Sequence, residues 1–158
     1  RNLMASKIKP IPDGYRAVTP YLIVDGAKAA IDFYTATFGA VERMRMPAPN
    51  DRIGHAELAI GDSVIMLADE HPDMNIHGPK KFSGSPVGIM LYVPDVDSVV
   101  AKAVASGATI ERPVQDQFYG DRMGTIRDPF GHLWYVATHI EDVPPEEMER
   151  RAAAMGKS

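Results

Sequence analysis

The sequence predicts an α+β domain made of two copies of a β-α-β-β-β module. Three observations carry this expectation. The first is internal repetition: residues 21–44 (YLIVDGAKAAIDFYTATFGAVERM) and 90–113 (MLYVPDVDSVVAKAVASGATIERP) follow one plan. Each begins with a short apolar strand and an Asp-containing turn, then gives a helix, a Gly-Ala pair and a strand carrying Glu-Arg. A separation of roughly 68 to 69 residues is too long for a solenoid repeat and suits a duplicated half-domain. The second is length, because 158 residues make one domain with a sizeable core. The third is composition: 45% hydrophobic and 24% charged residues describe a globular chain rather than a disordered one.

The elements follow in order. In the first helix Ala27, Ala30, Ile31, Tyr34 and Phe38 share one face, and in the second Val96, Val99, Val100, Ala103 and Val104 do. Gly39 and Gly107 sit where a helix ends in a left-handed residue, which costs glycine nothing. Strand patterns follow the first helix at residues 41–46, 53–60 and 63–68, with IGDS as a tight turn. They follow the second at 109–116, 119–127 and 133–138. There DPFG is the turn, with Pro129 presetting φ and Gly131 free to take a positive one. The expected domain spans residues 15–140, with modules at 15–68 and 86–139 and a turn-rich linker at 69–85. Residues 141–158 read as a tail with a short, proline-started, acid-first helix. Residues 1–3, before Met4, are left out of the fold reading.

Several function classes are disfavoured. A net charge of −4 with no basic stripe argues against nucleic acid. The apolar runs are shorter than a membrane span and no charged-then-apolar leader is seen, so a cytoplasmic protein is expected. The absence of cysteine excludes disulfides, thiolate nucleophiles and Cys-type zinc sites. No Ser/His/Asp motif, phosphate-cradling glycine loop or nucleotide fingerprint occurs.

The segments IDFYTATFGA after the first strand and DPFGHLW before the last resemble the vicinal-oxygen-chelate superfamily of glyoxalase I, bleomycin-resistance proteins and extradiol dioxygenases. AVTPYLIVDG, IGHAELAIGDSVIMLADE, GDRMGTIRDPFGHLW and ATHIEDVPPEEM are similar to its PhnB-like subfamily, and the likeness covers residues 15–148. The resemblance implies a curled-sheet cup with helices outside, the glyoxalase/bleomycin-resistance fold, usually as a homodimer. It leaves function open among isomerases, transferases, dioxygenases and metal-free binding proteins. In metal-dependent members the ligands come from the first and fourth strands of each half. Those positions fall on Thr19, Met66, Gly88 and Tyr135. A divalent ion needs imidazole or carboxylate donors; here stand a neutral hydroxyl, a soft thioether, no side chain and a phenol of high intrinsic pKa. Slipping the alignment by one residue reverses the face. It brings in Val18, Pro20, Ile65, Leu67, Val87, Ile89, Trp134 and Val136, all apolar. The expectation is no catalytic metal and no cofactor.

Strand alternation assigns the rest of the cup. If Ala56, Leu58 and Ile60 face the helices, His55 and Glu57 face the cup. Thr19, Tyr21, Ile23, Met66, Met90, Tyr92, Met123, Thr125, Leu133 and Tyr135 share that side. The expected ligand-binding set is Thr19, Tyr21, Met66, Gly88, Met90, Tyr92, Met123, Thr125 and Tyr135, an aromatic and methionine lining suited to a small, partly apolar molecule.

His55 and Glu57 are the candidate catalytic pair, because a carboxylate beside an imidazole fixes its tautomer as a general base requires. Two other readings stay open: a polar pair satisfied within the sheet, or two ligands of a metal. His132 reads as a turn or surface residue, and His139 as a surface or rim residue. His71 and His77 share the linker with Asp69, Glu70 and Asp73, a cluster with poor preorganisation for a metal. DQFYGDR, carrying Tyr119, reads as an ion-paired approach to a strand that could gate the cup. The leading function is small-molecule binding or sequestration without the family metal. A metal-independent lyase or isomerase comes second, with His55 as base, Glu57 orienting it, and Tyr135 or Tyr21 donating to an oxyanion. A metal-dependent glyoxalase or dioxygenase is third, and a purely structural role last.

Overall fold

The computed structural model describes residues 7–156. The first module holds β1 (Tyr21–Val24), α1 (Ala27–Phe38), β2 (Val41–Ala48), β3 (Arg52–Ile60) and β4 (Ser63–Asp69). The second holds β5 (Gly88–Tyr92), α2 (Val96–Ala105), β6 (Thr109–Asp116), β7 (Asp121–Arg127) and β8 (Leu133–His139), and α3 (Pro145–Met155) follows. Each module makes one mixed four-stranded sheet, ordered β1-β4-β3-β2 and β5-β8-β7-β6. In each, the first and fourth strands run parallel and the remaining pairs antiparallel. Among the described residues no closed barrel forms. Between the modules, residues 72–74 and 79–82 form 3₁₀ turns, and His71 bridges Ile76.

One core serves both modules. Leu22, Val24, Leu58 and Leu67 of the first sheet join Ile126, Trp134 and Val136 of the second in a continuous buried cluster with α1 and α2. Such burial is the main favourable contribution to folding, about 25 cal/mol per Å² of apolar surface. The α1 residues Tyr34 and Phe38 reach across to Trp134, with ring centroids 5.4 and 4.6 Å apart. Buried Asp128, the first residue of the DPFG turn, accepts hydrogen bonds from the Phe130 and His132 amides and the Trp134 indole N–H, all at 2.9 Å. It also accepts the Tyr34 hydroxyl, so one carboxylate ties α1 of the first module to the last turn of the second. His132 is not a plain turn or surface residue: its Nε2–H donates to the Ile23 carbonyl at 2.9 Å, a second tie between modules.

The helices are capped differently. Gly26 precedes α1 and offers no side-chain cap; buried Asp69, at the end of β4, instead accepts from the Gly26, Ala27 and Ile53 amides at 2.8 Å each. Asp69, read as one of the linker acids with poor preorganisation for a metal, is thus committed to the backbone. At the equivalent end of β8, Thr138 Oγ1 accepts from the Val96 amide at 2.9 Å, and Asp95 caps α2 through Ser98. Gly39 and Gly107 end their helices at φ 68° and 108°.

Four expectations need correction. Val104 is exposed rather than part of the α2 core stripe. Val18 and Val87 lie before their strands and are 85% and 69% exposed, so the helix-facing side begins after them. β1 starts at Tyr21, leaving Thr19 outside the strand. Pro20 has no N–H, and pairing begins through its carbonyl, which accepts from the Met66 amide at 2.9 Å. β7 starts at Asp121 rather than residue 119, because Gln117 to Gly120 close a turn with Gly120 at φ 103°.

Candidate functional site

The side of each sheet away from the shared core is open. On the first, Tyr21 is 47% exposed; on the second, Met90 and Tyr92 are 43% and 58% exposed. The expected site residues divide between these faces. Tyr21 and Met66 pair across β1 and β4, and Glu57 pairs with Met66 across β3 and β4. Met90 and Tyr135 pair across β5 and β8, and Thr125 pairs with Tyr135 across β7 and β8, with Met123 two residues away on β7. The same rung is thus occupied by Tyr21, Met66 and Glu57 in one sheet and by Met90, Tyr135 and Thr125 in the other.

His55 and Glu57 meet on the first face, His55 Nε2 lying 2.8 Å from Glu57 Oε2. Tyr21 Oη lies 2.7 Å from His55 Nδ1, and the Tyr15 hydroxyl, from the segment before β1, donates to Glu57 Oε1. Glu57 is buried, and the hydrogen bonds from His55 and Tyr15 hold its carboxyl below the ordinary carboxylate range. An ionised carboxylate only accepts, so His55 carries its proton on Nε2. In the neutral ring Nδ1 is then an acceptor, and it takes the Tyr21 O–H. Burial, and then the charge of Glu57, push the Tyr21 phenol pKa up, so it stays protonated. Tyr15 is raised likewise, chiefly by its bond to Glu57, while the Arg43 guanidinium lies 5.5 Å from its ring centre. The pair is therefore part of a four-membered chain, Tyr21–His55–Glu57–Tyr15, whose outermost member is Tyr21.

Two clefts meet at Tyr21 and Ile23. The larger, about 610 Å³, is walled by the β2–β3 turn at Pro49 and Asn50 and by Met74 and Ile76 of the inter-module segment. The smaller, about 290 Å³, reaches His77, Phe82 and His132. Met90 and Tyr92 line a third cleft beside Phe38 and Ile60. Among the described residues, none of these three clefts gathers the whole expected set. The linker wall was not legible from strand parity, because irregular backbone has no period to read.

The second face carries its own polar group. Buried Asp121 accepts from the Tyr92 hydroxyl at 2.8 Å and lies 2.8 Å from His139 Nδ1, while His139 Nε2 lies 2.7 Å from Asp142. Contact with Asp142 first, and Asp121 second, raises the His139 pKa. Parity could have found this cluster, since Asp121 stands two residues before Met123 and pairs with His139. Tyr119 approaches Met123 Sδ at 3.8 Å, and Arg122 pairs with Asp97 and Asp116, making the ion-paired approach read from DQFYGDR.

The four positions expected to face a family metal are chemically poor. Thr19 donates its hydroxyl to the Arg16 carbonyl. Gly88 lies under the Tyr135 ring, where an added Cβ would stand 2.1 Å from a ring carbon, so no longer donor fits there with that ring in place. Among the described residues, no group of three or more His, Cys, Asp or Glu side chains is placed to hold a metal ion. The residues present do not fit the family's metal. Thr125 Oγ1, buried on the same face, has no hydrogen-bond partner among the described residues.

The model of the Glyoxalase/Bleomycin resistance protein/Dioxygenase superfamily matches residues 16–136. The chain belongs to that superfamily. A Mycobacterium bovis protein, Mb0911c, is 38% identical over 156 residues, covering 97% of this chain and 99% of its own. Among solved structures, TioX from Micromonospora sp. ML1 is 27% identical at a TM-score of 0.57, covering 78% of this chain and 100% of its own. The PhnB protein of Bacillus cereus, 17% identical at a TM-score of 0.64 and covering 78% and 99%, shares the fold. Members of the superfamily are commonly dimeric. Among the described residues no helix is long and apolar enough to cross a membrane.

Proposed function

We propose that this superfamily member binds a small, partly apolar molecule against the open sheet faces, without the family's metal, as a cytoplasmic homodimer. The observation that carries the reading is the composition of the exposed rungs. Tyr21 with Met66, and Met90 with Tyr135, offer aromatic and thioether surface with few oriented polar groups, and Tyr21 lines a cleft large enough for a drug-sized ligand. A second copy is the natural cover, because exposed Tyr21, Met44, Met46, Met90 and Tyr92 leave apolar surface on both faces.

The test is a thermal-shift screen of untagged protein against hydrophobic antibiotics, α-keto acids and aromatic metabolites. A raised Tm that is lost in Tyr21→Ala is expected; no shift across the panel counts against the reading. Sedimentation should give twice the chain mass. A stoichiometric zinc, nickel or iron in metal analysis of the same sample overturns the metal-free part.

The 2.8 Å contact between His55 and Glu57 favours a second reading, a metal-independent lyase or isomerase in which His55 is the base and Glu57 orients it. A metal-dependent glyoxalase or dioxygenase remains third, for want of suitable donors.

A further inference from the structure

We propose that Tyr21 is the ligand-contacting end of a proton relay, Tyr21–His55–Glu57, and that the site takes ligands carrying a weakly acidic hydroxyl on an apolar body. The proposal rests on the small-molecule reading above and names the ligand class. Four observations lead to it.

His55 has no free ring nitrogen: Nε2 is spent on Glu57 and Nδ1 on Tyr21. A base that acts from here acts through the phenol. Tyr21 is half exposed and lines both clefts on this face, so its oxygen is a polar atom that a ligand in either cleft can meet. Because the Tyr21 O–H points to His55, that oxygen presents lone pairs, and its complement is a donor. The surrounding walls at Ile23, Met74 and Ile76 are apolar, which asks that the hydroxyl be carried on an apolar body.

Charge narrows the class further. Asp69, Glu70 and Asp73 border the larger cleft, and the one guanidinium there, Arg52, is paired with Asp25 and Asp69. A ligand that arrives already anionic adds to this negative charge, whereas a neutral hydroxyl adds none, because its proton stays in the site. On binding, the ligand O–H bond breaks and its proton bonds to Tyr21 Oη. The original Tyr21 proton bonds to His55 Nδ1, and the resulting imidazolium is held against the Glu57 carboxylate. The electron pair stays on the ligand oxygen, hydrogen-bonded to Tyr21. No oxidant or co-reactant is involved. Tyr15 is a positioning residue: by donating to Glu57 Oε1 it leaves Oε2 directed at His55, with Arg43 beside it.

The probes are 4-nitrophenol and 4-nitroanisole, which differ only by a methyl in place of the hydroxyl proton, titrated into the protein at a pH where free 4-nitrophenol is neutral. The phenol should bind at least about ten-fold more tightly, and its complex should show the visible phenolate band. In Tyr21→Phe and in His55→Gln the band should vanish and the affinity difference collapse, with melting curves reporting whether each variant is folded. Tyr15→Phe should weaken the band through Glu57. If neither probe binds the wild type, the small-molecule reading falls and this proposal with it. If both bind equally, or the band survives in Tyr21→Phe, the relay is wrong while the small-molecule reading stands.

Discussion

The two sheets share a register and a core but not an open face. On equivalent rungs the first places Tyr21, Met66 and Glu57, the second Met90, Tyr135 and Thr125. Behind them, Leu58 and Leu67 stand where Ile126 and Val136 stand in the other module, all fully buried. Both modules keep apolar side chains where the shared core is packed. Their chemistry diverges where side chains meet solvent. One face became a Tyr–His–carboxylate chain; the other became an aromatic lid over glycine with a separate polar cluster at its far end.

The largest expected effect comes from the group the modules share. Asp128→Ala leaves two amides, an indole N–H and the Tyr34 hydroxyl without their buried acceptor. It should cost about 3–5 kcal/mol in urea denaturation. If the modules are one cooperative unit, signals from each will fall together; a first module that survives the second would break the picture of one core.

Next is the contrast in caps. Asp69 serves three amides at the head of the first module, whereas Thr138 serves one at the equivalent place in the second. Asp69→Ala should cost about 2–4 kcal/mol and Thr138→Ala about 1 kcal/mol. Equal losses would mean that the number of amides served does not set the cost of losing the cap.

This contrast also marks what the sequence could reveal. Strand parity separated Ala56, Leu58 and Ile60 from His55 and Glu57, because a two-residue period survives without tertiary knowledge. It said nothing of Tyr15, which reaches Glu57 from a segment with no period, across 42 residues. Asp69 looked like one of several linker acids; only the approach of Gly26 and Ile53 in space shows its use. Thr19 was placed by extending a strand pattern through Pro20, where pairing does not continue. Periodic elements were legible; contacts closed by irregular backbone were not.

Gly88→Ala gives a smaller effect and sharpens the comparison at one rung. The new methyl would strike the Tyr135 ring, which must swing away. The expected cost is about 1–2 kcal/mol. The double variant Gly88→Ala with Tyr135→Ala should lose less than the sum of the singles, because the clash is gone. Strict additivity in that cycle would show that the ring does not rest on Gly88 in solution.

The smallest effect distinguishes the two histidines. His55 meets one carboxylate and one phenol; His139 meets carboxylates at both nitrogens, Asp142 and Asp121. Both His139 contacts require a proton on the ring, so folding raises its pKa above the ordinary 6.5. A raised folded pKa means that the stabilisation is present in full below the unfolded value and fades as pH rises through the folded one. Asp142 is fully exposed, so water and salt screen this contact and the change in Tm should be slight. The NMR titration of His139 is the sensitive measurement. Its midpoint should lie above 6.5 and fall in Asp142→Asn, with Asp121 left to hold the ring alone. A midpoint that does not move in that variant would mean that the tail carrying Asp142 does not rest against β8 in solution.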